Sequence, residues 1–234
     1  QDYDNIWDAQ VDSWHARVDR KSGESLFMAL QQNHVPFDFV SLPEADLSGY
    51  EVLFYPHAAI LTKEGTKKLE DWVAAGGKLV MGCRTGYKDT HGKCVMDYLP
   101  GLAAKLVGTD IPEYSFVAPD EGRVMVSWDG ERAEAAVFCD QLEAVGEHAK
   151  VLARYEGGCF AGAPALVRNA HGSGEAYYFG AAFGVDTAEL FLRRLGAAEP
   201  YGEQLLLPKE VELAVRKKDG TAYLFVLNYQ QRAV

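Results

Sequence analysis

Two uninterrupted apolar runs on either side of one amphipathic helix constrain this chain more than any other feature. YEVLFYP at 50–56 and KLVMGC at 78–83 are short and rich in Val, Leu and aromatics, with no polar alternation. A strand apolar at successive positions has to be covered on both faces, which is the situation of a strand inside a parallel sheet. Between the runs, Thr62 is a candidate cap for a helix whose apolar face is Leu69, Trp72 and Val73, and Gly76-Gly77 supplies its stop. Upstream, Ser22 is a candidate cap for a helix carrying Leu26, Phe27 and Leu30. PFDFVSL at 36–42 then alternates as a strand does. This β–α–β–α–β rhythm predicts a flavodoxin-like α/β domain with right-handed crossovers.

The texture changes after residue 110. MDYLPGLAAKLVGTD at 96–110 reads as a helix broken or started at Pro100. RVMVSWDG, AEAAVFCD, KVLARYEGG, PALVRN and EAYYFGA are strand-like segments punctuated by Gly, Asp and Asn turns. They are expected as hairpins laid against the edge of the α/β sheet. A closing helix at 186–197 has Asp186 or Thr187 as its cap, Leu190, Phe191 and Leu195 as its apolar face, and Gly196 as its end. EVELAVRKKDGTAYLFVLNY at 210–229 then reads as a β-hairpin turning at Asp219-Gly220. An isolated hairpin is marginal in water, so it is expected to begin a further β-domain. The division follows as 1–200 and 203–234.

The net charge of −11 argues against nucleic acid and anionic membranes as partners, since both need a basic field. No run approaches the roughly 18 apolar residues of a membrane-spanning helix. No charged-then-apolar leader opens the chain; QDYDNIWDAQ starts as if an upstream strand had been cut away. Cys83, Cys94, Cys139 and Cys159 form no CxxC pair and are expected as buried or loop thiols in a reducing compartment, the cytoplasm. Cys83, His91 and Cys94 match no standard zinc spacing, so no metal is expected. Nor is a cofactor, because the glycines of HGSGEAYYFG and GGCFAGAP precede no helix or Lys-Ser/Thr pair. Trp7 and Trp14, seven apart, are helix-compatible and expected to cover one end of the sheet.

VMGCRTGYKDTHGKC at 80–94 poses the chemical question. On a doubly wound sheet, the turn after a central strand is where a cysteine nucleophile would sit, on an elbow of the form G-x-C-x-G. In this chain an elbow ending at Gly86 puts Arg84 in the nucleophile's place, with Cys83 one residue early on the strand. His148 and His171 lack the neighbouring carboxylate that would support Cys83.

DYDNIWDAQVDSW, GCRTGYKDTHGKCVMDYLPGLAAKLVG and the C-terminal hairpin together resemble the non-catalytic part of family 42 glycoside hydrolases, the bacterial β-galactosidases. The resemblance implies that this is the central domain, which has a class I glutamine amidotransferase-like fold and builds a homotrimer, followed by the start of a β-sandwich. It also implies that hydrolysis of terminal β-D-galactosides belongs to a separate (β/α)8 barrel carrying both catalytic glutamates. No such barrel is present in these residues, which are too few to hold one beside this domain. The resemblance therefore assigns no catalytic residue here. Arg84, Tyr87, Lys88, Asp89, His91 and Trp7 are expected at a cleft rim or an interface, and aromatics of the N-terminal segment and edge hairpins at the trimer contact. The alternative is a self-contained amidotransferase-like enzyme or ligand-binding domain using Cys83.

Overall fold

The computed structural model describes residues 3–118, 122–201, 205 and 207–231. Helices α1 (Tyr3–Val11) and α2 (Ser13–Gln32) open the chain. Asp12 separates them in an extended conformation, and its carboxylate accepts from the amides of Trp14 and His15 to cap α2. Ser22 is therefore not a cap: it lies fully buried in mid-helix, because Asp12 offers its carboxylate to the first free amides ten residues earlier.

The expected βαβ unit is present. It comprises β1 (Val52–Phe54), α3 (Lys63–Ala74, capped by Thr62) and β2 (Lys78–Gly82), with β1 and β2 parallel. The segment 36–42, expected as a strand, is irregular. Strand β1 ends the sheet, and among the described residues no strand lies beyond it to share a ladder with that segment. Phe37 instead meets Phe27 and Phe39 edge-on.

After a 3₁₀ turn (Gly101–Ala103) and the one-turn helix α4 (Ala104–Val107), seven strands follow: β3 (Thr109–Phe116), β4 (Met125–Trp128), β5 (Glu131–Ala144), β6 (Ala149–Glu156), β7 (Pro164–His171), β8 (Gly174–Phe179) and β9 (Ala181–Phe183). The sheet order is β1-β2-β8-β7-β6-β4-β5-β3, with β9 also on β5. Only β1–β2 and β2–β8 are parallel. The hairpin strands are thus not laid against the sheet but are part of it, making it mixed. Strand β8 returns beside β2 because Gly174 lets it pass the end of α3: a Cβ there would lie 2.1 Å from the Val73 carbonyl oxygen.

Alternation along β2 and β8 divides the core. Val80, Tyr177 and Phe179 face a cluster with Leu26, Ala29, Phe183 and Phe191, built from α2 and from α5 (Val185–Arg194). Leu79, Met81, Ala176 and Tyr178 face a second cluster with Leu69, Val73, Val107 and Leu142. The N-cap of helix α5 is Gly184, not Asp186 or Thr187. Those two side chains are engaged with the backbone of Glu134 on the neighbouring β5. The final hairpin, β10 (Val211–Lys218) and β11 (Thr221–Asn228), turns through Asp219 and Gly220, both at positive φ. It is rooted by buried Val211, whose carbonyl accepts from His34, while β11 is exposed along its whole length. Among the described residues no helix is long and apolar enough to cross a membrane.

Candidate functional site

Strand β2 ends at Gly82, and the turn that follows carries a left-handed residue at its second position, with no helix behind it. Arg84 adopts φ 64°, the left-handed conformation that a non-glycine residue reaches only at a cost of about 1–2 kcal/mol. Gly86 at φ 69° completes the turn, and a Cβ there would lie 1.9 Å from the Pro100 carbonyl oxygen. The lifted side chain is therefore a guanidinium.

Arg84 does not project into open solvent. Its Nη2 lies 2.6 Å from Asp12 Oδ2, and its charge sits over the rings of Tyr87 and Phe138. Lys88 Nζ donates to the same Asp12 oxygen at 2.9 Å and to Asp8 Oδ1 at 2.6 Å. The other Asp8 oxygen takes His15 Nδ1 at 2.6 Å. His15 Nε2 faces the His57 carbonyl at 3.0 Å, so the ring bridges the Asp8 carboxylate and a backbone carbonyl. The result is a chain of alternating charge, Asp8–Lys88–Asp12–Arg84, with His15 bound at its Asp8 end, joining α1 and α2 to the turn after β2. Burial pushes Asp12 up, but the His15 amide, Lys88 and the Arg84 charge outweigh it and hold the carboxyl at about 2. Burial alone would lower Lys88, yet its bonds to Asp8 and Asp12 raise it. Asn5 adds a two-point clamp, its side-chain amide bonding both the N–H and the C=O of Ile60 at 2.8 and 2.9 Å.

Beneath this chain lies a second buried layer. Cys83 is fully buried, and desolvation pushes its thiol well up. The nearest imidazole, His57, has Nδ1 3.8 Å from Cys83 Sγ but donates that proton to the Cys83 carbonyl at 2.7 Å. Its Nε2 meets Ser22 Oγ at 2.7 Å, and that oxygen also accepts from the Phe183 amide. Ser22 therefore gives its own proton to His57, which stays neutral; burial depresses its pKa to about 3. A buried thiol and a neutral imidazole already bonded to backbone do not form the thiolate–imidazolium pair that cysteine catalysis requires. Asp140 accepts from Tyr87 at 2.7 Å and Tyr178 at 2.8 Å, and burial raises it to about 6 against those bonds.

Of the six residues expected at the rim, Arg84 and Lys88 converge on α1 and α2, and Tyr87 is buried below them. Asp89 instead shapes its own loop, its Oδ1 accepting from the amides of His91 and Lys93, which lowers its pKa. His91 is exposed on that loop, and Trp7 is exposed on the outer side of α1. Cys94 is exposed whereas Cys83 is in the core, and among the described residues no group of three His, Cys, Asp or Glu side chains is arranged to hold a metal ion. Sequence reasoning missed Asp8, Asp12 and His15, although their spacing of four and three marks one helical stripe. His57, Ser22 and Asp140 join only through contacts distant in the chain. A separate groove of about 500 Å³, lined by Lys105, Thr109, Asp110, His148, Asn169 and His171, opens at the opposite end of the β2 and β8 strands.

Comparison with known proteins gives this architecture a context. The profile described as the β-galactosidase trimerisation domain matches residues 2–200. A β-galactosidase of Haloferax lucentense is 30% identical over 238 residues, covering 97% of this chain and 33% of its own length. One from Clostridium perfringens is 27% identical, with 97% of this chain and 34% of its own length covered. This chain thus spans about a third of the length of the curated relatives it matches. The crystal structure of a β-galactosidase from Bacillus circulans sp. alkalophilus superposes with a TM-score of 0.78 at 27% identity, over 88% of this chain and 31% of that one.

Proposed function

The chain belongs to the β-galactosidase trimerisation-domain family, and on that premise we propose that it is the non-catalytic assembly module of a longer β-galactosidase. In this reading the parent hydrolyses terminal β-D-galactosides in a barrel outside these residues, and this module holds three copies together. The observation that carries it is the occupied elbow. Where an amidotransferase-like sheet would lift a nucleophile, Arg84 is bound into an ionic chain that fastens the N-terminal helices over the crevice. The β1–α3–β2 unit with β8 is then the retained part of that amidotransferase-like, flavodoxin-like sheet, and residues 203–234 begin the following β-sandwich. The turn and loop from Arg84 to His91 form a wall beside the parent's sugar cleft without bond chemistry of their own. The absence of a disulfide among the four cysteines, within the described residues, suits a reducing cytoplasm.

The test uses the chain itself. Incubated with a chromogenic β-galactoside and, separately, with glutamine, it should turn over neither, and light scattering should give the mass of a trimer. Glutaminase activity abolished by Cys83→Ala would overturn the proposal in favour of a self-contained enzyme.

A further inference from the structure

Helix α1 is amphipathic in the reverse sense. Asn5 and Asp8, on the stripe that continues to Asp12, are 8% and 7% exposed, and their side chains hold the helix onto Ile60, Lys88 and His15. Tyr3, Trp7 and Val11, spaced four apart on another stripe, are 74%, 56% and 78% exposed, with Ile6 beside them. Hydrophobic burial alone would turn this helix round. The clamp and the charge chain prevent that and keep the apolar stripe outward.

Further exposed aromatics follow α1 in the chain. Asp12 leads directly into α2, where the Trp14 ring lies flat on Phe116 at 3.9 Å between centroids. Phe116 and Tyr114 are both about half exposed on β3, the strand that ends the sheet on that side. Exposed aromatics on elements fixed by polar contacts have the composition of the energetic centre of a protein–protein contact.

We infer that the outward stripe Tyr3–Trp7–Val11, extended by Phe116 and Tyr114, is the surface by which one copy of this module binds the next. The inference rests on the assembly role proposed above and names the surface that performs it. A second copy is the occupant because residues 2–200 match a domain described by its trimerisation, so the self-contact lies within them. In a cyclic trimer each such patch seats on a different surface of the neighbour, and the ring closes after three copies.

The experiment compares the wild-type chain with Trp7→Glu, Val11→Lys and, as a control in the separate Phe27–Phe37–Phe39 cluster, Phe39→Ser. Masses are read by sedimentation equilibrium over a concentration series, and folding by circular dichroism. The expected result is a wild-type trimer and a Phe39→Ser trimer, with Trp7→Glu and Val11→Lys folded and associating about 30-fold or more weakly. Either α1 variant remaining a full-strength trimer while folded would overturn the assignment but leave the assembly role standing, and would give the stripe to another part of the parent. A wild-type chain monomeric at every concentration would overturn both.

Discussion

Helix α5 buries Leu190, Phe191 and Leu192 and turns Arg193 and Arg194 outward to Glu131, whereas α1 buries Asn5 and Asp8 and leaves Tyr3, Trp7 and Val11 in solvent. Both are held against the same module, by different forces. Helix α5 is held by area removed from water, which is non-directional and tolerates small shifts. Helix α1 is held by hydrogen bonds and ion pairs of fixed geometry, which specify one orientation and free its apolar side for another use. Position in a fold is thus separable from hydrophobic burial where a polar network does the locating.

The largest effect should come from the helix held by burial. Phe191→Ala removes a ring that meets Trp128, Phe179 and Phe183, and should cost about 4 kcal/mol in urea unfolding. A loss below about 1 kcal/mol would erase the contrast. Next, Asp8→Ala leaves Lys88 with Asp12 alone and strips His15 Nδ1 of its acceptor, so about 3 kcal/mol should go. Exchange of the α1 amides should rise more than that of α5.

A third test concerns Asp140, which lies under the crevice. Its pKa of about 6 is above the 3.8 of a free aspartate, so between these values the folded state binds a proton that the unfolded state releases. This carboxyl therefore adds stability as pH falls through 6 toward 3.8, by about 3 kcal/mol in full and about 1 kcal/mol between pH 7 and pH 5. Asp140→Asn should remove that component, visible as the difference between paired melts at pH 7 and pH 5. Asp12 works the other way: held at about 2, it contributes stability above 3.8 that is lost as pH falls through 2. The smallest effect belongs to the outward stripe. Trp7→Glu should change the unfolding free energy of the separated module by less than about 0.5 kcal/mol while it disrupts association, since more than half of that residue is exposed.

Local patterns were readable where neighbours in the chain decide the outcome. Thr62 caps α3, residues 78–82 form a buried strand, and Asp219-Gly220 turns the hairpin, each fixed by adjacent residues. The segment 36–42 alternates correctly for a strand, but a ladder needs a partner that local sequence does not specify. The mixed sheet escaped notice for the same reason, because β8 pairs with β2 across nearly a hundred residues. At the site, the failed elbow was legible in the order of Cys83, Arg84 and Gly86. The partners of Arg84 and Lys88 were not, because carboxylates are abundant here and only the fold selects Asp8 and Asp12 among them.

Asp12 has one oxygen on the first amides of α2 and the other on Arg84 and Lys88. Helix initiation and crevice charge are therefore a single heritable trait. Replacing Arg84 with serine or cysteine, as a nucleophile at this turn would require, would leave the Asp8 and Asp12 carboxylates to share Lys88 as their one fixed cation. Removing Asp12 to restore the balance would uncap α2. Each single step loses stability before any activity could be gained, so a nucleophile could reach this turn only through several coordinated substitutions.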